Sequence, residues 1–477
     1  KSIRFLIRFC ASTPKMLIAY LQKVIINKHT FHAALIIRLL NLVIVQSWFS
    51  PDEYWQSLEV AHKFVFGNGY LTWEWQYGIR SYAYVAFISL IYKILQVLHL
   101  DSVFLLVIWF FSQYSIFIYS IRENIDRAFA LYAYYTCWFI AFCSTRTLIN
   151  TVELNVTAIA YFTILLRNNT DQVYSRFLWF VSVLCLMRPT AAIVWLPLCL
   201  SEAFCFEVQI LIKLTIVFLC FSLTTLAIST LLDSYLHGSL VFTSFNFFWF
   251  NIFHNIGVHY GSHPFHWYLT QGLPVVLGPF LLPLIRGPIE FTPIYRKLTL
   301  STLFSEEAHL NFLRNYLFII LFCFSRNFAN LLITCAAIIN FGTLIFFGMF
   351  HQTGALTILN KVPVKPNTNL LILTPCHSTP LYSHIHANIS IRFLTCEPNL
   401  KTLPNYSDEA DKFYEDPLKW LQEEFRNGTN LPSHIISFEK LNDPILPFLH
   451  SNSYRLIERI FHAVFSPDDR ISSFNSK

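Results

Sequence analysis

Two neighbouring stretches, Ser50-Pro-Asp-Glu-Tyr-Trp-Gln-Ser-Leu-Glu59 and Leu71-Thr-Trp-Glu-Trp-Gln-Tyr-Gly-Ile-Arg80, hold four carboxylates, an arginine and a cluster of aromatic rings. Carboxylates can accept a proton from an alcohol during group transfer, a guanidinium can pair with phosphate, and rings can stack on a sugar face. Asp52 and Glu53 carry two readings. As structure, Ser50-Pro-Asp-Glu53 is a capping box: Ser50 at the N-cap, Pro51 at the first helical position and Glu53 reaching back. Acidic residues in a first turn also suit the helix dipole. As chemistry, Asp52 is a general base at a membrane surface, with Glu53 as the substitute. The readings can coexist, because a capped helix holds its first turn rigidly.

Three further groups could act beside them. Arg146, in Thr145-Arg-Thr147 with Asn150 and Glu153 following, stands between hydroxyls at the edge of apolar runs. It reads as a phosphate ligand or as an arginine snorkelling to lipid headgroups. Arg188, in Arg188-Pro-Thr190, lies inside the apolar run 177–200. A charge there is expensive and calls for a polar cavity or an ion-pair partner. Between Asn246 and Pro274 four histidines stand among glycines and aromatics with no Asp or Glu. A metal site would want acidic partners behind its histidines, so a ring-stacking, hydrogen-bonding surface fits better and no metal is expected. His377, His384 and His386 read as ordinary polar surface residues.

The elements that position these residues follow from hydropathy. The chain has 477 residues, 55% hydrophobic and 13% charged, with mean hydropathy +0.47, too apolar for an ordinary soluble protein of this size. Its net charge of +6 is spread out, with no binding module, so no nucleic-acid partner is expected. Residues 1–30 carry six Lys and Arg and no acid, which places them in the cytosol. The apolar run 31–49 then delivers the loop of about residues 50–80 to the opposite side. Further apolar runs lie near 81–98, 102–120, 128–145, 152–166, 177–200, 208–232, 272–285, 315–325 and 328–350. Several fall short of the roughly 20 residues of a span, so roughly eight to eleven membrane helices are expected over 31–362, with a second polar loop at about 246–274. From about Pro363 the composition changes. Leu370–Thr374 and His434–Phe438 read as strands and Asp408–Phe425 as one amphipathic helix, which makes residues 363–477 a small α/β domain. Sequons at Asn155, Asn168, Asn388, Asn405 and Asn427 concentrate in this tail, as on a luminal face. Most of the eleven cysteines lie in apolar runs and read as buried thiols, while Cys376 and Cys396 could pair in an oxidising lumen.

The motifs Ser50–Glu59, Leu71-Thr-Trp-Glu-Trp75, Gly78-Ile-Arg-Ser81, Thr145-Arg-Thr-Leu148, Arg188-Pro-Thr190, Tyr260-Gly-Ser-His-Pro264, Pro375-Cys-His-Ser-Thr-Pro380 and Asp408-Glu-Ala-Asp411 closely resemble the GPI mannosyltransferase 3 type of glycosyltransferase family 22. The resemblance runs from about residue 35 to 475. It implies a polytopic α-helical membrane enzyme of the endoplasmic reticulum with the GT-C fold and a luminal active site. It implies transfer of the third mannose, in α-1,2 linkage, from dolichyl-phosphate-mannose to a GPI precursor, with lipid substrates and no cofactor or bound metal. The donor is β-linked and the product α-linked, hence inversion by one in-line displacement with a single base. Asp52 matches the family's acidic position after the first span. Arg146 and Arg188 are expected at the donor phosphate. Trp73, Glu74, Arg80, His263, His266 and Trp267 are expected to shape the acceptor site.

One motif departs. The family's His-Lys-Glu-x-Arg-Phe is expected around 303–320, where this chain reads Ser305-Glu-Glu-Ala-His-Leu-Asn-Phe-Leu-Arg314. A catalytically inactive member acting as a partner subunit, or another dolichyl-phosphate-mannose-dependent mannosyltransferase, therefore stays open. A transporter or scramblase would need paired intramembrane charges and matching helix breaks in two halves, and no such repeat is visible.

Overall fold

In a computed structural model the described residues are 28–100, 134–165, 171–203, 208–253, 263–281, 329–400, 406–426 and 430–465. The apolar runs 102–120 and 315–325, the expected motif position 303–320, and Asn168, Asn405 and Asn427 lie outside them.

Helix α1, Lys28–Ile44, turns Ile36, Leu39, Leu40 and Val43 outward. Three consecutive pieces then form one continuous helix, α2: Pro51–Glu53, a wide π-helical turn Tyr54–Leu58, and Glu59–Phe66. It stops at Gly67, whose φ of +84° is the left-handed conformation glycine adopts at little cost. A single turn, α3 (Trp73–Gln76), leads into α4, Tyr82–Val97. The helices α5 (Trp138–Ser144), α6 (Ile149–Leu165), α7 (Asp171–Met187), α8 (Ala191–Ala203) and α9 (Val208–His237) follow. The run 177–200 is thus two helices, not one. Pro189 disfavours helical conformation at Arg188 before it, and the chain turns there. Two aromatic helical stretches come next, α10 (Thr243–Phe248, continued by Trp249–Phe253) and α11 (Phe265–Trp267, continued through Tyr268–Gly272 and Leu273–Leu277). Helix α12, Ala329–Ile345, runs through Phe346–Phe350 towards α13, Gly354–Lys361.

Among the described residues two helical stretches are long and apolar enough to cross a membrane, Val208–His237 and Thr334–Lys361. Along α9 the exposed residues include Ile212, Ile216, Leu219, Leu223, Ile228 and Leu231, a largely apolar outward surface of the kind lipid contact requires. Not every thiol is buried: Cys137 and Cys143 are, but Cys220 and Cys335 lie exposed on α9 and α12. An apolar run hides a side chain from water without deciding whether protein or lipid does so.

The tail carries a three-stranded parallel sheet of β1 (Asn369–Leu373), β2 (Ser390–Phe393) and β3 (His434–Ser437) in the order β2-β1-β3. Strand β2 is too short and too mixed to read from sequence. The central strand is buried on both faces, which explains its unbroken Leu-Leu-Ile-Leu. Leu370 and Ile372 join α2, α3 and α4 in an aromatic-rich core with Trp55, Trp75, Tyr82 and Tyr92. Leu371 and Leu373 pack in a second core with Phe413, Leu421, Leu441 and Phe448. The expected helix over 408–425 is two, α15 (Glu409–Glu415) and α16 (Pro417–Glu424). Pro417 starts the second, and Asp408 and Asp416 cap them, accepting from the Asp411 and Lys419 N–H groups at 2.6 and 3.0 Å. A four-residue helix, α14 (Tyr382–Ile385), and α17 (Asn442–Ser451) complete the tail.

Candidate active site

Helix α2 organises the site. Ser50 is its N-cap, accepting from the Asp52 N–H at 3.3 Å, with Pro51 at the first position. The capping box is only half formed. Glu53 does not reach back to Ser50 but turns inward, where its carboxylate meets Arg146 Nη1 at 2.8 Å, and the two side chains are 8% and 3% exposed. Burying a carboxylate unpaired would cost far more than an exposed cap returns, so the ion pair wins the side chain. Arg146 also donates to the Ser47 carbonyl (2.8 Å) and Ser47 Oγ (3.2 Å), and its guanidinium lies 4.1 Å from the Phe142 ring. Thr147 Oγ1 donates to the Glu53 carbonyl at 2.9 Å, and Ser57 Oγ bonds the same carbonyl and that of Thr147. Residues 145–147 are therefore riveted to the first turns of α2.

Asp52, next in sequence to Glu53, has a different setting. It is half-buried, and Gln56 Nε2 donates to its Oδ1 at 2.9 Å from one turn further along. The helix thus carries two adjacent carboxylates, one sequestered against a cation and one half-buried beside an amide.

Arg188 sits in the α7–α8 turn, 24% exposed, 3.3 Å from the Glu153 carboxylate on α6 and donating to Thr190 Oγ1 at 3.0 Å. It has the ion-pair partner that a charge in an apolar run calls for, and keeps a partly open face. Further along the first loop Glu74 is buried and paired with Arg80 at 2.8 Å, and Arg80 lies over Phe247. Trp73 is buried against Ile79, Phe247 and Phe250. Gly78, at φ +61°, lets Asn246 reach its carbonyl at 3.2 Å; a Cβ there would stand 2.7 Å from Val241. His263 and His266 are exposed, and the His263 ring stacks on Trp267 at 4.1 Å. Residues 254–262, within the second polar loop, lie outside the described residues.

Sequence reasoning missed several positions. Asp233 is fully buried at the end of α9, where it accepts from the Tyr82 N–H (2.8 Å), Ser81 Oγ (3.1 Å) and Thr243 Oγ1 (2.7 Å). It accepts the first N–H of α4, whose N-cap is Ser81, and ties both polar loops to one helix; the signal was a lone acid at the end of a long apolar run. Glu59 is also fully buried, accepting from the Leu381 and Ser383 N–H groups at 2.8 and 3.0 Å and from Ser383 Oγ at 2.5 Å. Burial pushes its carboxyl up, against those three donors.

The tail histidines are not ordinary surface groups. His377 lies 4.4 Å from Trp55, and His386 Nδ1 meets buried His62 Nε2 at 3.0 Å. Burial lowers His62 and His377 to about 4 and lowers His384 as well. The tail docks on α2, which composition could not show. Cys376 and Cys396 form a disulfide that fastens the loop after β1 to the segment after β2. They share a small cluster with His377, but each sulfur is committed to the other.

No solved structure matches the chain. Curated proteins do. "GPI alpha-1,2-mannosyltransferase 3" of Danio rerio is 39% identical, over 91% of this chain and 87% of its own. "GPI mannosyltransferase 3" of Drosophila melanogaster is 37% identical, over 91% and 84%. The Homo sapiens protein named as in Danio rerio is 37% identical, over 92% and 84%. The model of the Alg9-like mannosyltransferase family matches residues 29–386, which takes in α2, Arg146, Arg188, both polar loops and the docking segment at Glu59. With identity of this extent behind the motifs, the chain belongs to the Alg9-like mannosyltransferase family and is a mannosyltransferase of the GPI mannosyltransferase 3 type.

Proposed function

We propose that this protein adds an α-1,2-linked mannose, the third, to a GPI precursor on the luminal side of the endoplasmic reticulum membrane, with dolichyl-phosphate-mannose as donor. The names of the relatives support the acceptor class and linkage. The donor, the membrane face and the polytopic GT-C arrangement rest on the family resemblance.

Asp52 is the base, and the observation that carries this is the contrast between neighbours. Glu53 is neutralised by Arg146, whereas Asp52 stands half-buried with Gln56 steadying one oxygen. In a single in-line displacement the acceptor hydroxyl oxygen forms the new bond to the anomeric carbon from the face opposite the phosphate. The bond to phosphate breaks with its electron pair, dolichyl phosphate leaves, and Asp52 takes the hydroxyl proton. A β-linked donor then gives an α-linked product. Arg188, with its open face, is suited to the charge building on the leaving phosphate. Arg146, enclosed with Glu53, is better suited to holding the first turn of α2 than to meeting the donor. Buried Trp73 and Glu74 shape the first loop behind Arg80, and Arg80, His263, His266 and Trp267 are the groups left to meet the acceptor.

The test is complementation in cells lacking the third GPI mannosyltransferase, scored by surface GPI-anchored protein, with transfer measured on purified protein. Asp52→Asn is nearly isosteric but cannot take the proton, and should lose about 10²–10⁴-fold in rate while folding normally. Near-normal transfer by that variant would remove Asp52 from the mechanism. Failure of the wild type, at normal expression, would favour the inactive-subunit reading raised by residues 305–314.

A further inference from the structure

The loop Thr374-Pro-Cys-His-Ser-Thr-Pro380, leaving the central strand β1, has two sides. On one, His377 packs against Trp55, three residues beyond Asp52, and the chain continues at once to the donors that hold Glu59. On the other, Thr374, Ser378 and Thr379 line a cleft of about 220 Å³. Ser437 and Phe438, at the end of β3, also line it, as do Asn442 and His462.

This position has a physical meaning. In open parallel sheets, ligands bind outside the carboxyl ends of the strands where the strand order reverses. With the order β2-β1-β3, the chain leaves β1 to one side for β2 and crosses to the other for β3, so the β1–β3 boundary is that reversal. The cleft lies there. Its lining also selects a ligand. Hydroxyls and an amide can hydrogen-bond sugar hydroxyls, and the Phe438–His462 ring pair, at 5.2 Å, offers an apolar face. An anion is disfavoured, because the charged residues of the lining are already in ion pairs, Arg459 with Glu439 at 3.1 Å and Glu458 with Lys361 at 3.3 Å. The disulfide Cys376–Cys396 pins the loop between cleft and helix.

We propose that this cleft is a saccharide-binding site, that it holds part of the glycan head of the acceptor, and that the Thr374–Pro380 loop links its occupancy to the helix carrying Asp52. The acceptor assignment rests on the mannosyltransferase reading; the saccharide assignment rests on the cleft alone.

The experiment uses the full chain in lipid nanodiscs, with methyl α-mannopyranoside and α-mannobiose as probes, read by saturation-transfer NMR. Ser437→Tyr fills the cleft and Asn442→Ala removes its amide; both positions are exposed, and melting curves check that each variant folds. The wild type and Asp52→Asn should bind the probes, Ser437→Tyr should weaken binding about tenfold or more, and Asn442→Ala by several-fold. In transfer assays the acceptor KM should rise by the same factors while kcat and the donor KM hold. Absence of binding by the wild type overturns the proposal. So does unchanged probe binding in folded Ser437→Tyr, or loss of probe binding in Asp52→Asn, which would place the sugar at the base instead. If no variant transfers mannose yet probe binding still depends on Ser437, the cleft stands and the mannosyltransferase reading falls.

Discussion

Replacing Arg146 by Met should unfold or loosen the protein before it alters recognition of the donor. The side chain pairs with Glu53 at 2.8 Å, with both partners almost fully enclosed, and makes two contacts with Ser47 and one with the Phe142 ring. At an effective dielectric near 20, charges about 4 Å apart attract by about 4 kcal/mol, and removing one member of a buried pair costs about 3–5 kcal/mol because the other is stranded. Met keeps much of the packing volume, so the loss reports the charge. Arg146→Lys should also be destabilised: one ammonium can replace Nη1, which meets both the Ser47 carbonyl and Glu53, but not also the Nη2 contact with Ser47 Oγ and the guanidinium plane over Phe142. Adding Glu53→Gln to Arg146→Met removes the stranded charge, and the double variant should regain about 2–3 kcal/mol of the loss. Denaturant unfolding in mixed micelles measures each corner of this cycle, with transfer kinetics alongside. If Arg146→Met keeps wild-type stability and raises the donor KM selectively, the reasoning is wrong and Arg146 belongs at the donor phosphate.

Glu59→Ala leaves two backbone donors and a hydroxyl without their acceptor and should cost about 2–4 kcal/mol, read as faster proteolysis between the last span and the sheet; an unchanged cleavage rate would mean the tail is held elsewhere. Gly78→Ala meets both a positive φ and Val241 and should cost about 1–3 kcal/mol, with acceptor KM affected before donor KM. Breaking the Cys376–Cys396 bridge by Cys376→Ala with Cys396→Ala should lower stability by about 3 kcal/mol, measured against the oxidised wild type. His62 and His377 titrate near 4 when folded and near 6.5 when unfolded, so the unfolded chain binds protons first. Stability should therefore be full above about pH 6.5 and fall towards pH 4, by at most about 1.4 kcal/mol per pH unit for each histidine. His377→Phe should flatten part of that slope; an acid profile indifferent to it would show that His377 is not held neutral.

Local chemistry was written in the sequence, and pairing was not. The apolar runs, the strands around Leu370 and His434, and the cap at Ser50 all depend on residues within a few positions of one another. The motifs at Ser50–Glu59 and Arg188–Thr190 were long enough to carry the family as well. What tertiary structure alone decided is which charge meets which. Glu53 looked like a cap and is a buried counter-ion, because Arg146, 93 positions away, lies within reach of it. Arg188 found Glu153 in the same way, and Asp233 became the acceptor for the first N–H of a helix 151 residues earlier. The tail histidines looked like surface groups until the sheet docked on α2. A buried charge or polar group is stable only with a partner, and the identity of that partner is a property of how distant segments pack. That packing gives two adjacent carboxylates different settings, Glu53 buried against Arg146 and Asp52 half-buried beside Gln56.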